Sequence, residues 1–236
     1  MPQGEAQLIV STFASQANNA FDNQSHATQP IKFEKLMSQA YGEYGLSERW
    51  TAILIPEFDA AQWSSPGQPK VRDSDFSVEG GVRTELFDSF GVLSLQGTAK
   101  TAGAHDSTSA SDVASGRQEE LRLLYGTKFE IAGCAGFADI EIAQRWIDGP
   151  KPDETPIDIT LGFHVTKDVQ VLAQSFNIIS GSNGDPSGYY RSHKLQLSAV
   201  VGVTDSLSVQ AGGFVSPAGQ NALHEQGLFV AVWEHF

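Results

Sequence analysis

The sequence predicts an all-β protein, a single antiparallel up-and-down barrel of twelve strands, on three observations. Apolar residues recur at every second position over much of the chain, tight connections alternate with longer ones, and no comparably long segment carries an apolar stripe at helical spacing. A period of two gives each strand one apolar and one polar face. Of the 236 residues, 40% are hydrophobic and 18% charged, with a net charge of -13 and one cysteine. This composition excludes a disulfide scaffold and a disordered tail, and the lack of an eighteen-residue apolar run excludes a helical membrane span. The negative charge repels phosphate backbones, so no nucleic-acid partner is expected.

The segments follow in order. The first two strands are expected over 5–15 and 31–45, the second with Lys35 and Glu43 opposite Ala40. A third over 49–63 carries Glu57 and Asp59 on its polar face. The fourth, 74–86, reads DFSVEGGVRTEL, with Phe76, Val78 and Val82 opposing Glu79, Arg83 and Glu85. In the fifth, 90–102, Gly97 opposes Lys100. The sixth, 117–130, sets Leu121, Leu123 and Tyr125 against Glu120, Arg122 and Lys128, and the seventh, 135–147, carries Asp139, Glu141 and Arg145. The eighth, 155–165, alternates most clearly: Ile157, Ile159, Leu161, Phe163 and Val165 oppose Asp158, Thr160 and His164. A ninth over 168–180 and an eleventh over 206–216 place Ala173 and Ala211 on apolar faces. Between them, 190–203 sets Leu195, Leu197, Ala199 and Val201 against Lys194, Gln196 and Ser198, and the twelfth covers 221–236. Connections around Ser47, Asp88, Gly133, Lys167 and Asp205 are tight. Those at 16–30, 64–72, 103–116, 148–154, 181–189 and 217–220 are mostly longer and rich in Gly, Ser, Asn, Asp and Pro. The tight segments GLSERWTA, HVTKDVQV and GVTDSLSV each place a Ser or Thr where its hydroxyl can bond the turn backbone.

A soluble barrel turns its apolar faces inward and a transmembrane barrel turns them outward, so periodicity alone does not decide. Three features point to a lipid-facing exterior. The even strand count puts both termini on the short-turn side. Tyr44, Trp50, Tyr125, Trp146, Tyr190 and Trp233 lie near strand ends, where amphipathic rings suit a membrane interface. Small residues on the apolar faces (Ala40, Gly80, Gly97, Ala173, Ala199, Ala211) would waste volume in a soluble core.

A fourth feature is the ending, GLFVAVWEHF. It resembles the C-terminal β-signal of Gram-negative outer-membrane proteins, with Leu228, Val230, Val232 and Phe236 on the required parity and Glu234 departing from the pattern. The pairing of AYGEYGLSERWTAILIPEF with SHKLQLSAVVGVTDSLSVQAGGFVSPAGQNAL is similar to uncharacterised proteobacterial outer-membrane barrels, including phenol-degradation meta-pathway transporter-like proteins. The resemblance implies an outer-membrane location, with lipid and lipopolysaccharide as surroundings and the barrel-assembly machinery as a partner during insertion. MPQGEAQLIV has neither the basic start nor the apolar core of a secretory leader, so the expectation is a mature sequence carrying an added initiator Met.

With this orientation the lumen-facing candidates are Glu57, Asp59, Glu79, Arg83, Glu85, Lys100, Glu120, Arg122, Lys128, Asp139, Glu141, Arg145, Asp158 and Lys194, joined by Lys35, Glu43 and Glu130. Seven of these are basic and ten acidic, which predicts a weak cation preference in any open path and cross-strand ion pairs bracing a narrow barrel. No catalytic group, cofactor or metal is expected. Cys134 in IAGC is read as a small turn residue, and DGPKPDE at 148–154 as an ordinary acidic loop. The segment Ser180-Gly181-Ser182-Asn183-Gly184 resembles the His-x-Ser-Asn-Gly site of outer-membrane phospholipase with Ser180 in the histidine's place, which leaves Ser182 without a base unless His193 serves. The function expected is a narrow channel or uptake component for small molecules. The alternatives are a non-conducting barrel that binds through its loops and, third, a lipid-active enzyme.

Overall fold

The computed structural model describes residues 1–101, 116–131, 133–181 and 189–236. Ser182, its neighbours Asn183 and Gly184, and nearly all of the 103–116 connection lie outside them. Twelve strands run β1 (Ala6–Ala20), β2 (Gln29–Gly45), β3 (Trp50–Ser64), β4 (Val71–Phe87), β5 (Val92–Lys100), β6 (Gln118–Ile131), β7 (Cys134–Ile147), β8 (Glu154–His164), β9 (Val169–Ser180), β10 (Arg191–Gly202), β11 (Leu207–Gln220) and β12 (Leu223–His235). Each pairs antiparallel with its sequence neighbours, and β12 closes on β1, so no sheet edge is left unpaired. The last residue completes the seam: Phe236 N–H donates to Ala6 O at 2.9 Å, and Ala6 N–H donates to Phe236 O at 3.2 Å.

The apolar faces point outward. Leu228 is 72% exposed, Leu197 62% and Phe76 60%, values a soluble core would never leave. The polar parities face the interior, where Ser11, Asp59, Ser77, Gln96, Thr98 and Ser198 are buried. The tight turns carry the expected chemistry. Ser47 Oγ accepts the Trp50 N–H at 3.3 Å, Thr166 Oγ1 the Val169 N–H at 3.1 Å, and Thr204 Oγ1 the Leu207 N–H at 3.0 Å.

Four expectations need correction. β1 extends five residues beyond 15, because Ala17 and Ala20 pack with Phe33, Ala61 and Leu223 in a small apolar cluster towards the loop end. β11 extends to Gln220, leaving Asn221 and Ala222 as its connection to β12. It accommodates Pro217 at a register shift, where His193 faces Ala218 but Leu195 faces Val215, so the missing N–H falls in a bulge. Tyr44, Trp50 and Trp146 are exposed on the outer surface, but Tyr190 is buried and Trp233 lines the lumen. Trp233 shares the parity of Phe229 and Ala231, which face inward. Cys134 is exposed and begins β7; the turn itself needs Gly133, whose φ is 79°.

Candidate functional site

A cavity of about 1440 Å³ occupies the interior and is lined by residues of all twelve strands. It exceeds an ordinary small-molecule pocket, as fits a strand count between barrels filled by side chains and wide aqueous porins. Of the fourteen lumen candidates, Glu57, Glu79, Lys100, Lys128, Asp139, Glu141, Arg145 and Lys194 line it. Asp59, Arg83, Glu85, Glu120, Arg122 and Asp158 share the inward parity but are not among the lining residues.

Register explains which charges meet. Glu43, Ile53, Gly81, Thr98, Glu120, Arg145 and Glu154 occupy one continuous row of cross-strand partners from β2 to β8. Within this row Arg145 Nη2 lies 2.8 Å from Glu120 and its Nη1 lies 2.6 Å from Glu154. One step away, Arg122 reaches Glu120 at 2.7 Å, Glu141 at 2.5 Å and Asp158 at 2.7 Å, so a single guanidinium gathers three carboxylates from three strands. Arg83 passes over the Glu79 and Glu85 of its own strand and bonds Glu43, with Tyr41 OH 2.9 Å from its Nη2. Lys100 holds Glu57 at 3.1 Å, and Lys35 lies 3.4 Å from Asp59. The neighbouring carboxylates Glu57 and Asp59 therefore each have their own lysine.

The other side of the barrel differs. On β9, β10, β11, β12 and β1, Lys194 and Glu225 are the only inward Lys, Arg, Asp or Glu among the described residues, and they pair with each other at 3.0 Å. This arc carries Phe13, Phe176, Phe214, Phe229 and Trp233. Phe13 stacks on Phe229 with centroids 4.9 Å apart.

Glycines on both arcs keep inward-facing rings against the wall. A Cβ on Gly227 would meet the Phe214 ring at 2.7 Å, one on Gly212 the Phe229 ring at 2.7 Å, and one on Gly162 the Phe137 ring at 2.0 Å. Each ring covers the bare backbone of a facing glycine, which shields those hydrogen bonds and leaves the centre open. Gly162→Ala should therefore swing Phe137 into the cavity, slowing solute passage at a stability loss of about 1–3 kcal/mol. Swelling rates of loaded liposomes, compared with the unfolding midpoint, check both parts.

Sequence reasoning missed Lys151, Glu154 and Glu225, and it assigned Tyr190 to the membrane interface and not to this buried cluster. Glu154 and Glu225 were legible in principle, since they share the parity of Asp158 and Phe229 respectively. Lys151 was not legible, because the β7–β8 connection folds it inward to 3.4 Å from Glu154, where the Tyr190 hydroxyl also donates. Asp153 accepts the Ile147 N–H at 3.0 Å, so this acid of DGPKPDE serves the fold of its own connection. Among the described residues, no group of three His, Cys, Asp or Glu side chains has metal-binding geometry. His193 lies on the outward parity of β10 and bonds Asn177. In the β1–β2 connection Asp22 is held below the usual carboxylate range, chiefly by the His26 backbone N–H at 2.9 Å.

Neither a protein-family model nor a curated protein matches the sequence. Solved structures do. The COG4313 outer membrane channel from Pseudomonas putida F1 matches over 100% of this chain and 97% of its own, with a TM-score of 0.75 at 12% identity. The translocator domain of the autotransporter NalP from Neisseria meningitidis matches over 98% and 88%, with a TM-score of 0.63 at 12% identity. The β domain of the Bordetella autotransporter BrkA matches over 98% and 99%, with a TM-score of 0.61 at 14% identity. The fold is that of a bacterial outer-membrane β-barrel. With an apolar exterior and a charged interior, the chain is built for the outer membrane, where strands of nine or more residues suffice to cross. The narrower likeness to phenol-degradation barrels rests on the sequence segments alone.

Proposed function

We propose that this barrel is a narrow channel or uptake component for small molecules. The observation that carries the reading is the cavity, which extends from Trp233 and Ile9 near the turn end to Ser192 and Arg145 near the loop end. The COG4313 channel, similar over its whole length, supports it. The path runs between the charge-rich arc of β2–β8 and the aromatic arc opposite, whose inward charges among the described residues are the paired Lys194 and Glu225, with Glu57, Glu79, Lys100, Asp139, Glu141, Arg145 and Lys194 touching the solute route. Liposomes carrying the folded protein should swell in small sugars and stay intact in oligosaccharides. Absence of swelling with a folded barrel would favour the second reading, a non-conducting structural barrel acting through its loops. That reading has its own observation: Lys151 folds in over the loop end and joins the Glu154–Arg145 network.

In the same reading Leu228, Val230, Val232 and Phe236 form an insertion signal for the barrel-assembly machinery, and lipid and lipopolysaccharide surround the finished barrel. The three aliphatic side chains and Phe236 stand exposed on one parity, accessible to a recognising protein before β12 meets β1. Phe236→Ala should lower the amount of folded barrel recovered from cell envelopes several-fold and leave refolding into detergent unchanged. Equal loss in both settings would make Phe236 a seam residue and not a signal.

A further inference from the structure

Two arcs of unlike chemistry face each other across the lumen, and the solute class inferred from them rests on the channel reading. Glu79 lies half-way along β4 and lines the cavity, yet among the described residues no base stands within 4 Å of its carboxylate. Its cross-strand neighbour Lys100 is turned to Glu57. In barrel order, β12 and β11 lie four and five strands from β4, and there Phe214 and Phe229 sit half-way along their own strands with Phe13 stacked beside them. This aromatic face already holds a cation, because Lys194 Nζ lies 4.6 Å from the Phe214 ring centroid.

We propose that the cavity binds organic cations that carry an apolar body, the ammonium facing Glu79 and the body lying against Phe13, Phe214 and Phe229. Sign follows from the pairing. The lining bases Lys35, Lys100, Arg145 and Lys194 all have carboxylate partners, so an anionic solute would have to break an existing pair. Lys128 has no ion-pair partner among the described residues, but it lies three residues from the turn end of β6, away from the aromatic face at mid-strand. A purely apolar solute leaves Glu79 unpaired, and a small inorganic cation has no apolar body to bury against the rings.

Isothermal titration of the folded barrel in uncharged detergent tests this with three probes: benzyltrimethylammonium, tetramethylammonium and phenylacetate. Benzyltrimethylammonium should bind at least tenfold tighter than either of the others. Glu79→Gln, which keeps the shape of the side chain, should weaken that binding about tenfold, and Phe214→Ala should weaken it comparably, with heat-modifiable migration confirming that each variant is folded. Equal or tighter binding of phenylacetate, unchanged affinity in Glu79→Gln, or no binding by a folded barrel would each overturn the proposal. A barrel that binds the cation but passes no solute keeps this inference and loses the channel reading. One that conducts without binding does the reverse.

Discussion

Arg122→Ala should destabilise the barrel by about 3–5 kcal/mol, the usual loss when one partner is removed from a buried ion-pair set. The guanidinium is mostly buried and is bonded to Glu120, Glu141 and Asp158. Removing it leaves three carboxylates facing one another, with Glu120 alone retaining a base through Arg145. The penalty comes from stranded charge and not from lost packing, so it should be reversible. Arg122→Leu combined with Glu141→Gln and Asp158→Asn should recover most of the lost stability, since uncharged replacements of a whole buried set are often neutral. Urea unfolding in lipid vesicles measures each variant. A loss below about 1 kcal/mol for Arg122→Ala, the range of surface pairs, would show the network to be solvated and of little structural weight.

Leu197→Arg should cost about 2–4 kcal/mol, the penalty for a charge on the lipid face near the bilayer midplane. Leu197 is 62% exposed in the middle of β10, and its cross-strand neighbours Ala173 and Gly213 leave an arginine there no nearby acid. On a soluble protein the same change at so exposed a position would fall within about 0.5 kcal/mol of neutral. Depth provides the control. Val203 lies just beyond the turn end of β10 and is 58% exposed, so Val203→Arg should cost no more than about 1 kcal/mol. Equal costs at the two positions would contradict a lipid-facing exterior.

What was legible in the sequence was whatever depends on parity. Ile157 to Val165 and Leu195 to Val201 announce their outward faces directly, and the charged partners on the same strands announce the lumen. Parity does not reveal how far a strand runs once its alternation fades. In β1 the residues Ala17 and Ala20 are too small to mark a face, and in β11 the proline at 217 argues for a break where the structure makes a bulge. Aromatic residues near strand ends misled for a related reason. Tyr44 and Trp50 reach the outer surface, but Trp233 lies one residue off the outward parity, and its indole N–H donates to Gln210 inside the barrel at 3.0 Å. Cross-strand ion pairs were expected, but which charge meets which was beyond sequence reasoning, because it depends on register between strands. Arg83 has two glutamates on its own strand, and its partner is Glu43, with β3 lying between. The division of the lumen into a charge-rich arc and an aromatic arc with one ion pair needs the same knowledge, since it emerges only when β9–β12 are closed onto β1.

Single-channel recording of the refolded barrel in a planar bilayer decides whether the cavity between these arcs is a path through the membrane. An open path gives discrete conductance steps in potassium chloride, smaller than those of wide porins, and further reduced in Gly162→Ala, where Phe137 enters the lumen. A barrel that inserts and keeps its heat-modifiable fold but shows no conductance in any salt would contradict it.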